Sequence, residues 1–289
     1  KPDRLPVQVH GWMSYYLNTY LGGVDDLAAY ERFGMDKVIY RAPEMVWAEK
    51  DLDAWRKDYR DLGIDADGNR RWMETIDTPK GRLVHRGASN VFTAWETEPL
   101  IKSPQDFELF ALYAPMPSAL DAAPLRAAQQ QLERAGILRS WAYGYGQGSP
   151  WQDLCILAGT EQAIYWAQDD PQFVHHAMQV ILDKRLAYVA MLQGMPIDLI
   201  ETGGGAGSNT VISPRMFEEF LLPYDRVQHD ALHAAGMRVV YHLCGGVMKM
   251  LELVAQNGAD GLETMTPPTM GGDCDLAEAN RRVGHKLFF

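Results

Sequence analysis

The chain has 289 residues, of which 47% are hydrophobic and 22% are charged, and its formal net charge at pH 7 is −11. That composition supports one large domain with a single core. The acidic balance, without any lysine- or arginine-rich run, argues against nucleic acid or an anionic membrane as a partner. No apolar run approaches the roughly 18 residues of a membrane-spanning helix, so we expect a soluble cytoplasmic enzyme.

Three cysteines, Cys155, Cys244 and Cys274, are too few for a disulfide framework, and their odd number favours a reducing compartment. A strand-like segment follows directly after Lys1, and another begins at the last residues of the chain. We therefore expect both ends to be truncated and residues 1–289 to form a single domain.

Short β-type runs alternate with longer helical runs along most of the sequence. The predicted strands are residues 5–10, 37–41, 137–143, 198–202, 238–243, 261–265 and 286–289. The clearest predicted helices are residues 170–192, 214–235 and 246–257. Such alternation indicates parallel strands joined by crossover helices.

Residues 68–102 depart from this alternation. A Thr-Pro-Lys-Gly turn at 78–81 separates two strand-like runs and predicts antiparallel hairpins inserted between barrel units. No Gly-rich dinucleotide loop follows the first strand, which favours a closed barrel over an open sheet. The predicted fold is α/β, a TIM (β/α)8 barrel with this hairpin insertion. Seven strands are identified, and the eighth is expected near the insertion.

The strongest chemical motif is an apolar strand that ends in His-Leu-Cys-Gly-Gly at residues 242–246. Residues two apart on a strand point to the same side, so the His242 imidazole and the Cys244 thiolate can converge on one ion. The C-terminal ends of barrel strands are where active sites are built. The alternative interpretation is a histidine that caps the strand and a cysteine that fills a gap in the core.

The next strand places Glu263 at the corresponding C-terminal position. Neighbouring strands lie about 4.8 Å apart, so this carboxylate can reach the same ion. A site of His242, Cys244 and Glu263 with one open position is typical of catalytic zinc. Cys274 is either a fourth ligand or a residue at the entry of a helix that a flanking aspartate caps.

Other strand ends supply candidate pocket residues. Glu201 ends the strand 198–202, and a mobile Gly-rich loop carrying Asn209 follows it. His10 and Trp12 come after the first strand, and Tyr143 begins an aromatic and glycine-rich stretch over 141–151. We predict a catalytic role for Glu201 and substrate contacts for the other four. The alternatives are a simple flexible loop and aromatic side chains that belong to the core.

Three stretches of the chain resemble the uroporphyrinogen decarboxylase superfamily. They are the opening Pro-Asp-Arg-Leu-Pro-Val at 2–7, the run 212–224 that contains Ile-Ser-Pro-Arg-Met-Phe and Leu-Pro-Tyr, and the strand that ends in His-Leu-Cys-Gly at 242–245. The resemblance implies a TIM barrel and either porphyrin decarboxylation or corrinoid-linked methyl transfer. In the methyltransferase branch, the His-x-Cys motif resembles a zinc site that a late cysteine completes. Glu263-Thr264 likewise resembles the Glu-Thr that supplies a zinc ligand in cobalamin-independent methionine synthase, a related barrel.

One departure separates the two branches. The decarboxylases carry an arginine-rich stretch after the first strand that binds the porphyrin carboxylates, whereas no arginine occurs here between Val9 and Arg32. The resemblance therefore implies a zinc-dependent methyltransferase that acts with a corrinoid carried by a partner protein. Its small substrate would be a methoxylated aromatic compound, favoured by the aromatic strand ends, or a methylated amine, with a thiol or folate as acceptor.

Two alternatives remain at this point. One is a metal-free decarboxylase, and the other is a non-catalytic barrel that binds a corrinoid protein. For the methyltransferase, the predicted catalytic residues are Glu201, His242, Cys244 and Glu263, and the predicted metal ligands are His242, Cys244, Glu263 and Cys274.

Overall fold

A computed structural model describes Arg4 and residues 6–133, 135–143 and 148–289. Within these ranges the helices are α1 (Ser14–Tyr20), α2 (Asp26–Phe33), α3 (Glu49–Asp53), α4 (Pro104–Tyr113), α5 (Ala123–Leu132), α6 (Pro150–Ala158), α7 (Thr160–Asp169), α8 (Pro171–Met191), α9 (Pro214–Met216), α10 (Leu222–Ala234), α11 (Leu251–Val254) and α12 (Leu276–Val283). The strands are β1 (Lys37–Tyr40), β2 (Glu44–Val46), β3 (Arg56–Ile64), β4 (Arg70–Thr78), β5 (Gly81–Ser89), β6 (Ala94–Glu98), β7 (Ala119–Asp121), β8 (Gly136–Trp141), β9 (Leu199–Gly203), β10 (Val239–His242) and β11 (Gly261–Glu263).

The centre of the fold is a parallel sheet in the order β1-β8-β9-β10-β11. Phe288 extends it by a parallel bridge to Gly261. All four residues of β10 are buried, as expected for a parallel strand inside an α/β fold. The predicted strands at 37–41, 137–143, 198–202, 238–243 and 261–265 are confirmed, with bounds that differ by at most two residues.

The first predicted strand is wrong. Residues 6–10 are irregular, while residues 1–3 and Leu5 lie outside the described residues. The segment is held instead by Asp36, whose carboxylate accepts from Val7 N at 2.7 Å and pairs with Arg4 at 2.6 Å. The apolar pattern therefore marks a segment that is anchored by side-chain hydrogen bonds, and not by a β-ladder. At the other end of the chain, the predicted strand 286–289 is reduced to the bridge at Phe288.

The predicted helix 246–257 forms only over α11. The backbone N–H of Gly246 donates to Thr210 Oγ1 at 2.7 Å, and those of Val247 and Met248 donate to Asp273 Oδ1 at 2.6 and 3.1 Å. Side chains thus satisfy the donors that would begin a helix, and the chain runs as a loop up to Met250.

The helical segment 214–234 contains a π turn, Phe217–Leu221, between α9 and α10. Pro223 follows this turn and has no N–H to donate to a carbonyl one turn earlier, which accounts for the widened backbone. The predicted helix start is confirmed, because Ser213 Oγ accepts from Met216 N at 3.2 Å. No helix among the described residues is long and apolar enough to cross a membrane.

The predicted hairpin insertion is an antiparallel sheet in the order β3-β4-β5-β6. It begins at Arg56, earlier than the predicted residue 68, and ends at Glu98. Ile76 and Leu83 from its two central strands are buried in the main hydrophobic core, so this sheet packs against the barrel. A second, two-stranded antiparallel sheet joins β2 to β7.

His85 on β5 lies between two carboxylates. Its Nε2 is 3.0 Å from Glu74 Oε2, and its Nδ1 is 3.2 Å from Glu96 Oε2. Burial by itself would lower the pKa of this imidazole, but the two hydrogen bonds outweigh burial and raise the pKa to about 9. Because the folded-state pKa exceeds the unfolded value of 6.5, the stabilising effect is complete below pH 6.5 and is lost as the pH rises through 9.

We therefore predict that the free energy of unfolding of the wild type falls between pH 6.5 and 9 relative to that of His85→Gln. Urea denaturation at several pH values measures the difference. His176→Gln is the matched control, since its ion pair with Glu108 is about half exposed on both sides and should contribute little. Parallel stability curves for the wild type and His85→Gln would contradict the prediction.

Candidate metal centre

Two glutamates on the strands that flank β10 share one buried arginine. Glu201 lies on β9, Glu263 ends β11, and Arg139 projects from β8. Arg139 Nη2 is 3.0 Å from Glu201 Oε2 and 2.8 Å from Glu263 Oε2. The Arg139 and Glu201 side chains are each only 1% exposed, where an unpaired charge would be strongly destabilising. The guanidinium therefore fixes both carboxylates at this end of the sheet.

Two histidines approach the same carboxylates. His242, the last residue of β10, places Nδ1 3.1 Å from Glu263 Oε1 and 3.4 Å from Glu201 Oε1. His10, from the segment before α1, places Nε2 3.2 Å from Glu201 Oε2 and 3.4 Å from Glu263 Oε1. One donor atom from each residue lies within 4.8 Å of all the others. We call His10, Glu201, His242 and Glu263 the four-residue group.

The charges of the four-residue group are strongly coupled. Hydrogen bonds to Glu201 and Glu263 raise the pKa of His10 to about 9. Burial lowers the pKa of His242, but hydrogen bonds to Cys244 and Glu263 outweigh it and bring the value to about 9. Burial would raise the pKa of Glu263, and hydrogen bonds from the two histidines instead hold it well below its usual range. A bound cation would thus replace protons on imidazoles that already balance the carboxylates.

Cys244 lies beside the four-residue group. A hydrogen bond to His242 lowers the pKa of the Cys244 thiol, and Cys244 is exposed whereas Cys155 and Cys274 are buried. The Gly-rich loop after β9 passes very close to it. A Cβ at Gly205 would lie 2.6 Å from Cys244 Sγ, and one at Gly203, where φ is +92°, would lie 2.4 Å from the His242 carbonyl oxygen. Only glycine permits this approach.

The donor atoms suit zinc. Imidazole nitrogen, carboxylate oxygen and thiolate sulfur are its usual ligands. Tetrahedral zinc with bonds of about 2.0–2.1 Å has ligand atoms roughly 3.3–3.4 Å apart. The histidine–carboxylate separations of 3.1–3.4 Å are close to that spacing. Glu201 Oε1 is also buried without a hydrogen-bond partner, an arrangement that a bound cation would satisfy.

Three of the four predicted substrate contacts lie outside the four-residue group, and two of them, Trp12 and Tyr143, pack elsewhere. Trp12 stacks on Phe33 with ring centroids 5.6 Å apart and belongs to a small hydrophobic cluster with α1 and α2. Tyr143 donates its hydroxyl to Pro115 O at 3.2 Å, and its ring packs on Tyr188. Residues 144–147 of the predicted aromatic stretch lie outside the described residues.

Asn209 supports the loop that follows Cys244, and Cys274 lies in the hydrophobic core. Asn209 Nδ2 donates to Asp273 Oδ2 at 3.3 Å, and its Oδ1 accepts from Lys249 N at 3.3 Å. Cys274 is buried, and burial together with the neighbouring aspartates raises the pKa of its thiol. Neither residue belongs to the four-residue group. Asp275 caps α12 by accepting from Glu278 N, as the alternative interpretation of this segment anticipates.

Sequence reasoning missed Arg139. The sequence did contain a signal for it. An arginine within the mainly apolar strand 136–141 needs a buried partner, for the same reason that Glu263 needs one on its own strand. His10 was predicted as a substrate contact, and the structure also makes it a potential metal donor.

Comparison with known proteins identifies the fold. Residues 97–287 match the family model of uroporphyrinogen decarboxylase (URO-D). A solved structure of a methyltransferase from Methanosarcina mazei superposes with a TM-score of 0.56 at 14% sequence identity, over 90% of this chain and 65% of that one. No curated protein matches the sequence. Identity this low supports a likeness of fold only, and the fold is the TIM barrel predicted from the sequence.

We predict that Gly205→Ala displaces the Cys244 thiol from His242, because the added Cβ would lie 2.6 Å from Sγ. Losing that hydrogen bond should raise the pKa of the thiol, so alkylation of metal-free protein by iodoacetamide at neutral pH should slow several-fold. Mass spectrometry of the modified peptide follows the rate. Gly11→Ala is the control, since a Cβ there meets no atom within 4 Å. An unchanged rate in Gly205→Ala would refute the prediction.

Proposed function

This chain belongs to the uroporphyrinogen decarboxylase family, and on that premise we propose that it is a zinc-dependent methyltransferase. It would move a methyl group between a small substrate and a corrinoid carried by a partner protein. The observation that carries the proposal is the convergence of two carboxylates, two imidazoles and the adjacent Cys244 at the C-terminal end of the parallel sheet. The fold it shares with the archaeal methyltransferase is in keeping with this activity.

His242 and Glu263 are two of the proposed zinc ligands, whichever residue supplies the third. The third ligand is Cys244, as the His-x-Cys spacing predicts, with Glu201 and His10 as the other donors within reach. Three protein ligands leave one coordination position for substrate. When bound, zinc supplies a Lewis acid that polarises an ether oxygen or holds a thiol as its thiolate.

The remaining residues of the site position and balance charge. Arg139 holds the carboxylates of Glu201 and Glu263 in place through buried ion pairs. His10 stands at the solvent side of the group with 45% of its side chain exposed, and Glu201 Oε2 lies 3.2 Å from its Nε2. In this position His10 can hold a proton against Glu201 and deliver it to a leaving oxygen, which suits removal of a methyl group from a methoxylated aromatic compound.

The decarboxylase alternative is less well supported. A porphyrin with several carboxylates needs cationic groups that are available to bind them. Arg139 lies at the four-residue group, and its Nη2 is already shared by Glu201 and Glu263.

Metal analysis of the purified protein tests the site. We expect near-stoichiometric zinc in the wild type and its loss in His242→Ala. Loss in Cys244→Ser but not in His10→Ala would assign the thiolate as third ligand, and the reverse result would assign His10. His85→Ala is the matched control, because His85 also lies between two carboxylates but belongs to the inserted sheet. Freshly purified wild type without bound zinc would overturn the proposal.

Visible spectroscopy of free cobalamin tests the chemistry. Zinc-loaded enzyme should methylate Co(I) cobalamin from a methoxylated aromatic compound, or demethylate methylcobalamin with a thiol, and removal of zinc should abolish both reactions. Glu201→Gln should slow the transfer by roughly 100-fold because His10 loses its charged partner. Release of carbon dioxide from a porphyrin acid, without any methyl transfer, would support the decarboxylase instead.

A further inference from the structure

β3 is an exposed edge of the inserted antiparallel sheet. Within the described part of the chain, it pairs with β4 on one side only, and all nine of its residues are exposed. Tyr59, Leu62 and Ile64 expose 57%, 52% and 76% of their surfaces. A long edge strand with exposed apolar side chains offers its free N–H and C=O groups to another strand unless its charges prevent pairing.

The charges on β3 form ion pairs with one another and with β4, and their order along the strand also complements a second copy of the same strand. Consider two β3 strands that run antiparallel about a twofold axis through Tyr59. Lys57 then lies opposite Asp61 of the second copy, and Asp58 lies opposite Arg60. The two Tyr59 rings meet at the axis. Every charged residue from 57 to 61 faces an opposite charge, and opposed side chains share one face of the sheet.

We propose that the chain forms a homodimer through β3, in which two four-stranded sheets join into one antiparallel sheet of eight strands. The occupant of the edge is therefore a second copy of this chain, related by the axis at Tyr59. This interface is distant in sequence from the strand ends that carry the metal donors, and the inference does not depend on the proposed activity.

The charge pattern disfavours the two registers adjacent to this one. Moving the twofold axis by one residue places Asp58 opposite itself in one direction and Arg60 opposite itself in the other. Both arrangements bring like charges together, which is destabilising for directly opposed residues. Charges usually protect an edge strand from pairing. Here they favour the Tyr59-centred pairing of two β3 strands over the two adjacent registers.

The backbone of β3 also defines the length of the contact. Its register with β4 shifts between Asp61 and Gly63, so a bulge follows the regular segment. The self-complementary residues 57–61 lie entirely before this bulge. Beyond them, Leu62 comes opposite Arg56 of the second copy, whose aliphatic stem can cover part of the exposed leucine.

Local charge favours the contact although the whole chain is acidic. The net charge of the chain is −11, which opposes association in general. β3 itself carries three basic and two acidic residues, so two copies of this strand meet without the repulsion expected of two average surfaces of this protein.

Asp58 and Arg60 are the residues with which to test the dimer. They lie 3.0 Å apart, and each side chain is more than half exposed, so reversing either charge should leave the fold intact. Sedimentation velocity over a range of concentrations should show a dimer for the wild type. Asp58→Arg and Arg60→Asp should each weaken dimerisation roughly tenfold or more, because two attractive cross-strand pairs become repulsive.

Two complementary experiments separate pairing in this register from a general effect of charge. The double variant, Asp58→Arg with Arg60→Asp, restores both cross-strand pairs and should dimerise as the wild type does. Mixing the two single variants should produce a mixed dimer, since the arginine-bearing strand then faces the aspartate-bearing strand. Arg126→Asp, which reverses a mostly exposed charge on α5, is the control and should not alter the wild-type dimer.

A monomeric wild type at all concentrations would overturn the proposal, as would a dimer that neither single variant weakens. Failure of the double variant to recover would reject the Tyr59-centred register. Zinc content measured on the same preparations should be the same in all of these variants, so the outcome is independent of the metal-centre experiment.

Discussion

Glu201 and Glu263 lie on the two strands that flank β10. Their carboxylates can be buried only if a positive charge accompanies them, and Arg139 provides it. Its guanidinium lies within 3.0 Å of both Glu201 and Glu263, and it comes from a third strand. The ion pairs therefore connect β8, β9 and β11 at the end where parallel strands place functional groups. The positions of His10 and His242 follow from this arrangement, because each imidazole hydrogen-bonds to carboxylates that are already fixed.

The polypeptide around Cys244 is shaped by a second constraint, which is the satisfaction of backbone donors. The N–H groups of Gly245 and Gly246 donate to threonine hydroxyls, and those of the next two residues donate to Asp273. These contacts hold the loop directly after the strand, where Cys244 is exposed beside His242. Asn209 and Asp273, both polar residues in loops near the site, serve this purpose.

The inserted sheet and the barrel have different proposed roles, which are association and catalysis. The match to the family begins at residue 97, so the sheet from β3 to the start of β6 precedes it. Ile76 and Leu83 attach the insertion to the core, while β3 remains at the outer edge. An edge strand with self-complementary charges is suited to association, whereas the buried strand ends of the barrel are suited to chemistry.

The sequence by itself determined the parallel strands, the hairpin insertion, and the placement of Glu201, His242 and Glu263 at one end of the sheet. These features depend on local periodicity and on the rule that parallel strands end together, which a linear pattern contains. Only the tertiary structure decided that His10 joins these side chains and that Arg139 lies between the carboxylates. His10 arrives on an irregular segment, and Arg139 acts through partners 62 and 124 residues away. Neither contact can be predicted from the periodic pattern of apolar residues in the sequence, because both depend on how distant segments pack.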